Sequence, residues 1–254
     1  MKRRLAVVLC APALMLTPLL MHAAVAEQGP GNGATCFYDP EKPPAVATIA
    51  GSGFIQGTPG NDVIVGSPGR DTILGGEGND IICGNGGNDV IDGGGGNDVI
   101  VGDSPSANPA STPGSRDTFV GGAGDDLLFG NAGRDTLVGE DGADTLIGNG
   151  GDDVLVAGNG DDDAFGGPGN DLVVGGDGDD ALFGNFGSDT IAGGDGSDYI
   201  NGDNPSPPQS PLNPAINATP NDDFCSGGPG ADTVANCERV SDGTDPGGPA
   251  APAR

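Results

Sequence analysis

A nine-residue period runs through most of the chain and constrains its fold more than any other feature. From Gly57 the sequence divides without adjustment into units such as GTPGNDVIV and GSPGRDTIL, and seventeen units end at Ala235. Two units, at 102–120 and 202–226, carry insertions rich in Pro, Ser, Asn and Ala. A period of this length is typical of a solenoid, in which each unit stacks on its neighbours.

Two positions of the unit have a fixed character. The sixth position is aspartate in all seventeen units, and the eighth is apolar throughout, with Ala164 and Cys225 as small exceptions. The aspartates are Asp62, Asp71, Asp80, Asp89, Asp98, Asp117, Asp126, Asp135, Asp144, Asp153, Asp162, Asp171, Asp180, Asp189, Asp198, Asp223 and Asp232. Because side chains alternate along a strand, we expect positions six and eight to face the same side. The eighth position then supplies the core.

A second period doubles the first. At position two, odd-numbered units mostly carry Gly, whereas even-numbered units mostly carry Ser, Asn or Asp. The true repeat is therefore eighteen residues, and we predict an all-β parallel β-roll (β-solenoid) with two units per coil and two parallel sheets. Acidic residues at position three also fall in odd units, which predicts one more anionic edge. These residues are Glu77, Asp141, Asp177 and Asp195.

The units resemble the GGxGxDxUx repeat of the repeats-in-toxin (RTX) family over residues 57–235, most of the chain. The resemblance implies Ca²⁺ ions bound between consecutive turns on the same edge, at about fifteen potential sites, with the position-six aspartates as ligands. Glycines at positions one and four allow carbonyl oxygens to turn toward one point. Ser115 and Asn221 replace glycine at position four, so sites beside those two turns are the least expected to bind.

The charge and the composition exclude several functions. The chain has 37 acidic residues against nine basic ones, so nucleic acid and anionic membrane would be repelled. Its one histidine, His22, lies in the apparent leader, which excludes histidine-dependent catalysis in the processed chain. Stacked carboxylates also repel one another, and one core residue in nine cannot offset the entropy of ordering many glycines. We therefore expect calcium to supply much of the folding free energy.

Both ends of the chain differ from the repeat. Residues 1–26 combine Lys2-Arg3-Arg4, an apolar run and Ala24-Val25-Ala26, which predicts a secretory signal peptide, a secreted protein and no membrane span after its removal. A membrane anchor is the alternative, but the apolar run is short for one. Residues 27–56 are predicted to form an N-terminal cap, with 47–56 as a first strand. Residues 236–254 are predicted to form a C-terminal cap and a disordered tail.

Four cysteines remain after the leader, and in an exported chain they favour disulfides. We hypothesise the pairs Cys36–Cys83 and Cys225–Cys237, each attaching a cap to one end of the solenoid, where an open sheet edge is a liability. Two other pairings are arithmetically open.

Two surfaces are candidates for a protein or cell-surface partner. Both insertions fall in even units, so both loops should leave the same edge, where they either bind a partner or merely decorate the solenoid. Position nine of odd units should point outward and is unusually apolar. This ladder contains Val65, Val101, Phe129, Ile147, Phe165 and Phe183. It either binds a partner or reflects β-propensity alone.

Two functions from different classes fit the sequence. The first is a secreted, calcium-binding scaffold with an adhesion-like role. The second is a toxin-like component or a β-solenoid enzyme acting on polysaccharide, for which Asp125-Asp126 or Asp179-Asp180 would be the acid/base pair. Since every unit has aspartate at position six, the repeat explains these pairs better, and we predict that the protein is not an enzyme. Toxin-type members usually use a C-terminal export signal, so haemolytic activity is not expected here.

Overall fold

The computed structural model describes residues 35–36, 45–102, 115–203, 224–230, 232–235, 237 and 239–241. Among these residues the regular elements are β-strands, numbered here along the chain, and no helix is long and apolar enough to cross a membrane. Strands β1 (Thr35–Cys36) and β2 (Ala45–Val46) form an antiparallel pair. The remaining strands form two ten-stranded parallel sheets.

The two sheets take alternate strands. The first sheet contains β3 (Ile49–Ala50), β5 (Val63–Val65), β7 (Ile81–Cys83), β9 (Val99–Val101), β11 (Leu127–Ala132), β13 (Thr145–Gly150), β15 (Asp163–Pro168), β17 (Ala181–Phe186), β19 (Tyr199–Asp203) and β21 (Thr233–Ala235). The second contains β4 (Phe54–Gln56), β6 (Thr72–Glu77), β8 (Val90–Gly95), β10 (Thr118–Ala123), β12 (Thr136–Asp141), β14 (Val154–Asn159), β16 (Leu172–Asp177), β18 (Thr190–Asp195), β20 (Phe224–Ser226) and β22 (Arg239–Ser241).

The strand register confirms the eighteen-residue coil and the parallel β-roll. Thr118 pairs with Thr136, and the same offset recurs from coil to coil. Across the insertions the pairing continues in phase, with Thr118 opposite Val90 and Thr190 opposite Phe224. Each insertion connects the first sheet to the second, so both leave the same edge, as predicted. The inserted residues themselves, 103–114 and 204–223, lie outside the described part of the chain.

The core between the two sheets is narrow, because each unit contributes one side chain to it. Position eight of each unit points between the sheets, and neighbouring coils stack these side chains into a single cluster. Ile64, Leu137 and Ile191, for example, are fully buried. Full burial of one such side chain contributes about 1.5–3 kcal/mol. A stack of single side chains is therefore a thin core for a chain with 51 glycines.

Position two of the unit has positive φ in most coils, in both sheets. On the second sheet, Gly94 has φ of 107°, and a Cβ there would collide with the carbonyl oxygen of Gly76 in the preceding coil. On the first sheet, Asn131 and Asn185 both have φ of 76°, a left-handed conformation that asparagine tolerates well. At two exceptions to the alternation, φ follows the residue type and not the sheet, since Gly167 in the first sheet has φ of 111° and Glu140 in the second sheet has φ of 80°.

The N-terminal end forms an additional coil. The prediction of one strand over 47–56 is wrong, because Gly51-Ser52-Gly53 turns the chain, with φ of 76° at Gly53. As a result β3 joins the first sheet and β4 joins the second. At the other end, β22 pairs with β20 and extends the second sheet beyond the last unit.

Both disulfide hypotheses are confirmed. Cys36 bonds to Cys83 and Cys225 bonds to Cys237. The first bond places β1 on the outer face of the first sheet, where Cys36 packs with Val65, Cys83 and Val101 in an apolar cluster.

Candidate calcium sites

The position-six aspartates form two ladders, one along each edge of the roll. In both ladders the backbone N–H of one aspartate donates to Oδ1 of the aspartate one coil further along. Asp144 donates to Asp162 at 2.7 Å, and Asp153 donates to Asp171 at 2.8 Å. The structure brings all the predicted site aspartates into these ladders except Asp223, which lies outside the described residues.

The second carboxylate oxygen has no such partner in most coils. Oδ2 is buried and accepts no hydrogen bond in Asp80, Asp98, Asp126, Asp144, Asp153, Asp162, Asp171, Asp180 and Asp198. A buried charged acceptor without a donor or counter-charge is costly. The arginines at position five of the repeat do not supply one, because the side chains of Arg70, Arg116 and Arg134 are exposed whereas these oxygens are buried. Within the part of the chain that the structure describes, these carboxylates therefore have no positive partner.

Their protonation equilibria reflect this environment. Burial raises the pKa of Asp126 to about 7 and that of Asp171 to about 8, and neighbouring carboxylates in the ladder add to the effect. Burial also raises the pKa to about 6 in Asp98, Asp144, Asp153, Asp162 and Asp180. The hydrogen bond from the preceding coil lowers each pKa but does not outweigh burial. A divalent cation would favour the charged form instead.

Glycine at position one keeps a space open beside each bare oxygen. A Cβ on Gly148 would lie 2.6 Å from Oδ2 of Asp153 and 2.7 Å from the carbonyl oxygen of Gly166 in the next coil. A carboxylate oxygen and a carbonyl oxygen therefore converge on one point between coils. Oxygens of these two kinds are the ligands that calcium uses in proteins. Ala157 is the one exception to glycine at this position of the repeat.

Carboxylates alone could not complete a site. Among the residues that the structure describes, no three Asp, Glu, His or Cys side chains converge as a metal-binding group. Since calcium takes six to eight oxygen ligands, most of them would have to be backbone carbonyls of consecutive turns. A donor set of aspartate carboxylates and backbone carbonyls would fit calcium.

Three aspartates depart from this arrangement. Oδ2 of Asp62 accepts hydrogen bonds from Thr58 N at 2.7 Å and Thr58 Oγ1 at 2.8 Å. Oδ2 of Asp71 accepts one from Ser67 N at 2.6 Å. Oδ2 of Asp117 accepts one from the hydroxyl of Ser115 at 2.9 Å. The last contact gives a physical reason for expecting weak binding beside Ser115.

A second ladder, which the sequence analysis missed, runs outside the first. Asparagine or aspartate at position five accepts the backbone N–H of position five in the next coil. Asn79 N donates to Asn61 Oδ1 at 3.0 Å, and Ser197 N donates to Asp179 Oδ1 at 2.9 Å. The frequent Asn or Asp before the invariant aspartate is the signal that could have revealed it. This outer ladder satisfies turn N–H groups and leaves the inner carboxylates for another partner.

The acidic residues at position three lie where the sequence predicts. Glu77, Asp141, Asp177 and Asp195 are all exposed, and each ends a strand of the second sheet. They therefore line one edge of the roll and make it the more anionic edge.

The fold and its aspartate ladders define the class of a parallel β-roll with calcium-binding turns. A family model described as RTX calcium-binding nonapeptide repeat (4 copies) matches residues 50–82, 83–104, 114–146, 138–173 and 174–204. The chain therefore belongs to the RTX calcium-binding nonapeptide repeat family. Among curated proteins, none matches the chain.

Proposed function

We propose that this chain is a secreted protein that folds when it binds extracellular calcium and then acts as a structural, adhesion-like scaffold. The observation that carries the proposal is the row of buried Oδ2 atoms without a donor. The position-six aspartates are the proposed ligands, with about fifteen potential sites in the array. Asp62 and Asp71 are the weakest candidates among them, because protein donors already bond both of their carboxylate oxygens. Those with a bare Oδ2, such as Asp98, Asp126 and Asp144, are the strongest candidates.

Calcium would act on the folding equilibrium rather than on a reaction. Each ion would neutralise carboxylates of consecutive coils and tie their turns together, which offsets both repulsion and the entropy of ordering the glycines. Extracellular calcium modules bind at about 10⁻⁴–10⁻³ M. A chain with that affinity stays unfolded in a calcium-poor cytoplasm and folds after export.

The first prediction tests this mechanism by circular dichroism. Without metal the chain should give a largely coil spectrum, and millimolar calcium should produce a β spectrum. Magnesium at the same concentration is the control, since it demands octahedral geometry and gives up water reluctantly. A β spectrum that is indifferent to chelation would contradict the proposal.

The two disulfides support export, because such bonds form and persist in oxidising compartments. The proposed leader, residues 1–26, lies outside the described residues. N-terminal sequencing of the protein from culture medium tests it: a chain that begins at Glu27 is the expected result.

The carboxylate pairs favour a structural role over an enzymatic one. In Asp125-Asp126 the first side chain is exposed and the second is buried in the inner ladder, and Asp179-Asp180 has the same arrangement. The two carboxylates of a pair thus face different environments, one in solvent and one in the inner ladder. The absence of enzymatic activity stays a prediction, and screening on acidic and neutral glycans tests the polysaccharide-active alternative.

The apolar ladder is only partly available to a partner. Its first members, Val65 and Val101, are buried beneath β1, whereas Phe129 to Phe183 are half-buried on the open continuation of the same face. The rings of Phe165 and Phe183 stack on each other with centroids 4.9 Å apart. Each ring covers one face of the other, which favours an apolar protein surface over ligands that stack on ring faces. Binding through this ladder or through the insertion edge stays a prediction.

A further inference from the structure

The first aspartate of each ladder is fully hydrogen-bonded by the N-terminal cap and its own turn. Oδ1 of Asp62 accepts the hydroxyl of Thr48 at 3.1 Å, and its Oδ2 accepts both donors of Thr58. Oδ1 of Asp71 accepts the N–H of Gly53 and, at 3.3 Å, the hydroxyl of Ser67, whose N–H binds Oδ2. Oδ2, the oxygen that has no donor in most later coils, therefore has a protein donor in both Asp62 and Asp71.

The coils that follow lack these donors. Asp80 and Asp98 use Oδ1 for the preceding aspartate, at 2.8 Å in both cases, and leave a buried Oδ2 with no hydrogen bond. Position two, which supplies Thr58 and Ser67 in the first two units, is Gly76 and Gly94 in these odd units. Glycine has no hydroxyl to donate, and Gly76 and Gly94 also have positive φ, of 118° and 107°, which Thr58 and Ser67 do not. The first two units therefore differ from the later odd units in both side chain and backbone.

Other contacts also hold the N-terminal end without any ion. Thr48 donates its N–H to Val63 O at 2.8 Å and receives the N–H of Val63 on its hydroxyl at 2.9 Å. Ile49 and Ile55 extend the core beneath the first unit. The Cys36–Cys83 disulfide then anchors β1 over this end.

We propose that residues 45–74 form a calcium-independent nucleus, in which Thr48, Thr58 and Ser67 replace the ion at Asp62 and Asp71. At calcium concentrations too low to fold the rest of the roll, this nucleus stays ordered. Calcium-dependent coils then add to it in the direction of the C-terminus, since its last strand offers a formed edge for the next coil. The inference rests on the proposed function, because it presumes that the later coils need calcium.

The direct test is hydrogen exchange with mass spectrometry on the full oxidised chain, in chelator and in millimolar calcium. In chelator, amides of 45–74 should exchange at least about tenfold more slowly than those of 139–201. A tenfold difference in exchange corresponds to a free energy within the range that one charge-assisted hydrogen bond contributes. In calcium both regions should be protected. Equal, fast exchange of 45–74 and 139–201 in chelator would overturn the inference.

Matched variants test the role of the hydroxyls. Thr58→Val combined with Ser67→Ala removes the two hydroxyl donors but keeps both backbone N–H donors, so it should reduce the chelator-resistant protection of 45–74 and leave the calcium-loaded roll intact. The control is Thr136→Val combined with Thr145→Ala, which removes hydroxyls from strand positions in the middle of the roll. Unchanged protection in the first double variant would count against the inference.

Calcium stoichiometry separates the inference from the function on which it rests. By calorimetry, Asp62→Asn and Asp71→Asn should bind as many ions as the parent chain, whereas Asp98→Asn and Asp153→Asn should each bind at least one fewer. If Asp62→Asn loses ions as Asp98→Asn does, the inference fails while calcium binding stands. If the parent chain binds no calcium and is protected throughout in chelator, the proposed function fails.

Discussion

Within one unit, the glycine at position one and the aspartate at position six face the same small space. Because Gly148 has no side chain, Oδ2 of Asp153 and the carbonyl oxygen of Gly166 can approach each other from consecutive coils. The space that glycine leaves open is thus the space in which an ion would meet both oxygens. The glycine acts here through its missing Cβ rather than through its backbone freedom.

Replacing this glycine should therefore weaken calcium-dependent folding. In Gly148→Ala the new methyl group would crowd both oxygens, and overpacking of this kind costs about 1–3 kcal/mol. We expect a higher calcium concentration at the folding midpoint, measured by circular dichroism. Gly150→Ala is the matched control, because the nearest atom to a Cβ there is Asn131 O at 3.8 Å. Equal midpoints for the two variants would contradict the prediction.

At the scale of elements, no strand of this roll is stable by itself. Most strands are three to six residues long and contribute one side chain to the core, so each depends on its neighbours in the sheet. The first and last strands have a neighbour on one side only. The two disulfides lie at these two ends, where each fastens a short strand or segment to a coil of the roll. Covalent attachment thus holds each terminal segment against the roll.

The two disulfides should differ in their effect on stability. Cys36–Cys83 spans 47 residues and Cys225–Cys237 spans 12, so the first disulfide restricts the unfolded chain more. Its loss should therefore lower the free energy of unfolding by about 1 kcal/mol more than loss of the second. In calcium, a Cys36→Ser, Cys83→Ser variant should have a lower thermal midpoint than a Cys225→Ser, Cys237→Ser variant. Differential scanning calorimetry of both, beside the parent chain, measures this. The reverse order would show that the C-terminal attachment matters more.

At the scale of the whole molecule, the negative charge of the carboxylates controls the folding equilibrium. The chain has a formal net charge of −28, and its inner ladders bury carboxylates with few compensating groups. Protons and calcium are the two cations that can relieve this charge. Because burial raises the pKa of Asp126 to about 7 and of Asp171 to about 8, the folded state holds protons that the unfolded state releases at about pH 4.

The metal-free protein should consequently be more ordered in acid. A raised folded-state pKa contributes stability that is present below about pH 4 and lost as pH rises through about 6 to 8. Acidifying metal-free protein from about pH 8 to about pH 5 should increase the β signal in circular dichroism. With calcium the trend should reverse, because protons compete with the ion for the carboxylates. A metal-free β signal that falls on acidification would contradict this assignment.

The linear repeat made much of the fold predictable. Aspartate at position six and an apolar residue at position eight predicted the inner ladder and the core, and the alternation at position two predicted the eighteen-residue coil. The pairings of Cys36 and Cys225 followed from their places at the two ends of the array. The extra coil at 49–56 was missed, because that segment lacks the aspartate that marks every later unit.

The sequence by itself therefore determined the features that recur in every coil, which are the β-roll, its two sheets and the residues of its ladders. It could do so because a repeated pattern must satisfy the same contacts in each coil. The tertiary structure decided what depends on neighbouring coils and on the ends. It showed that Oδ1 and Oδ2 of one aspartate have different partners, and that Asp62 and Asp71 are bonded by Thr48, Thr58 and Ser67. These contacts join residues of adjacent coils or of one tight turn, and only the folded backbone sets their geometry.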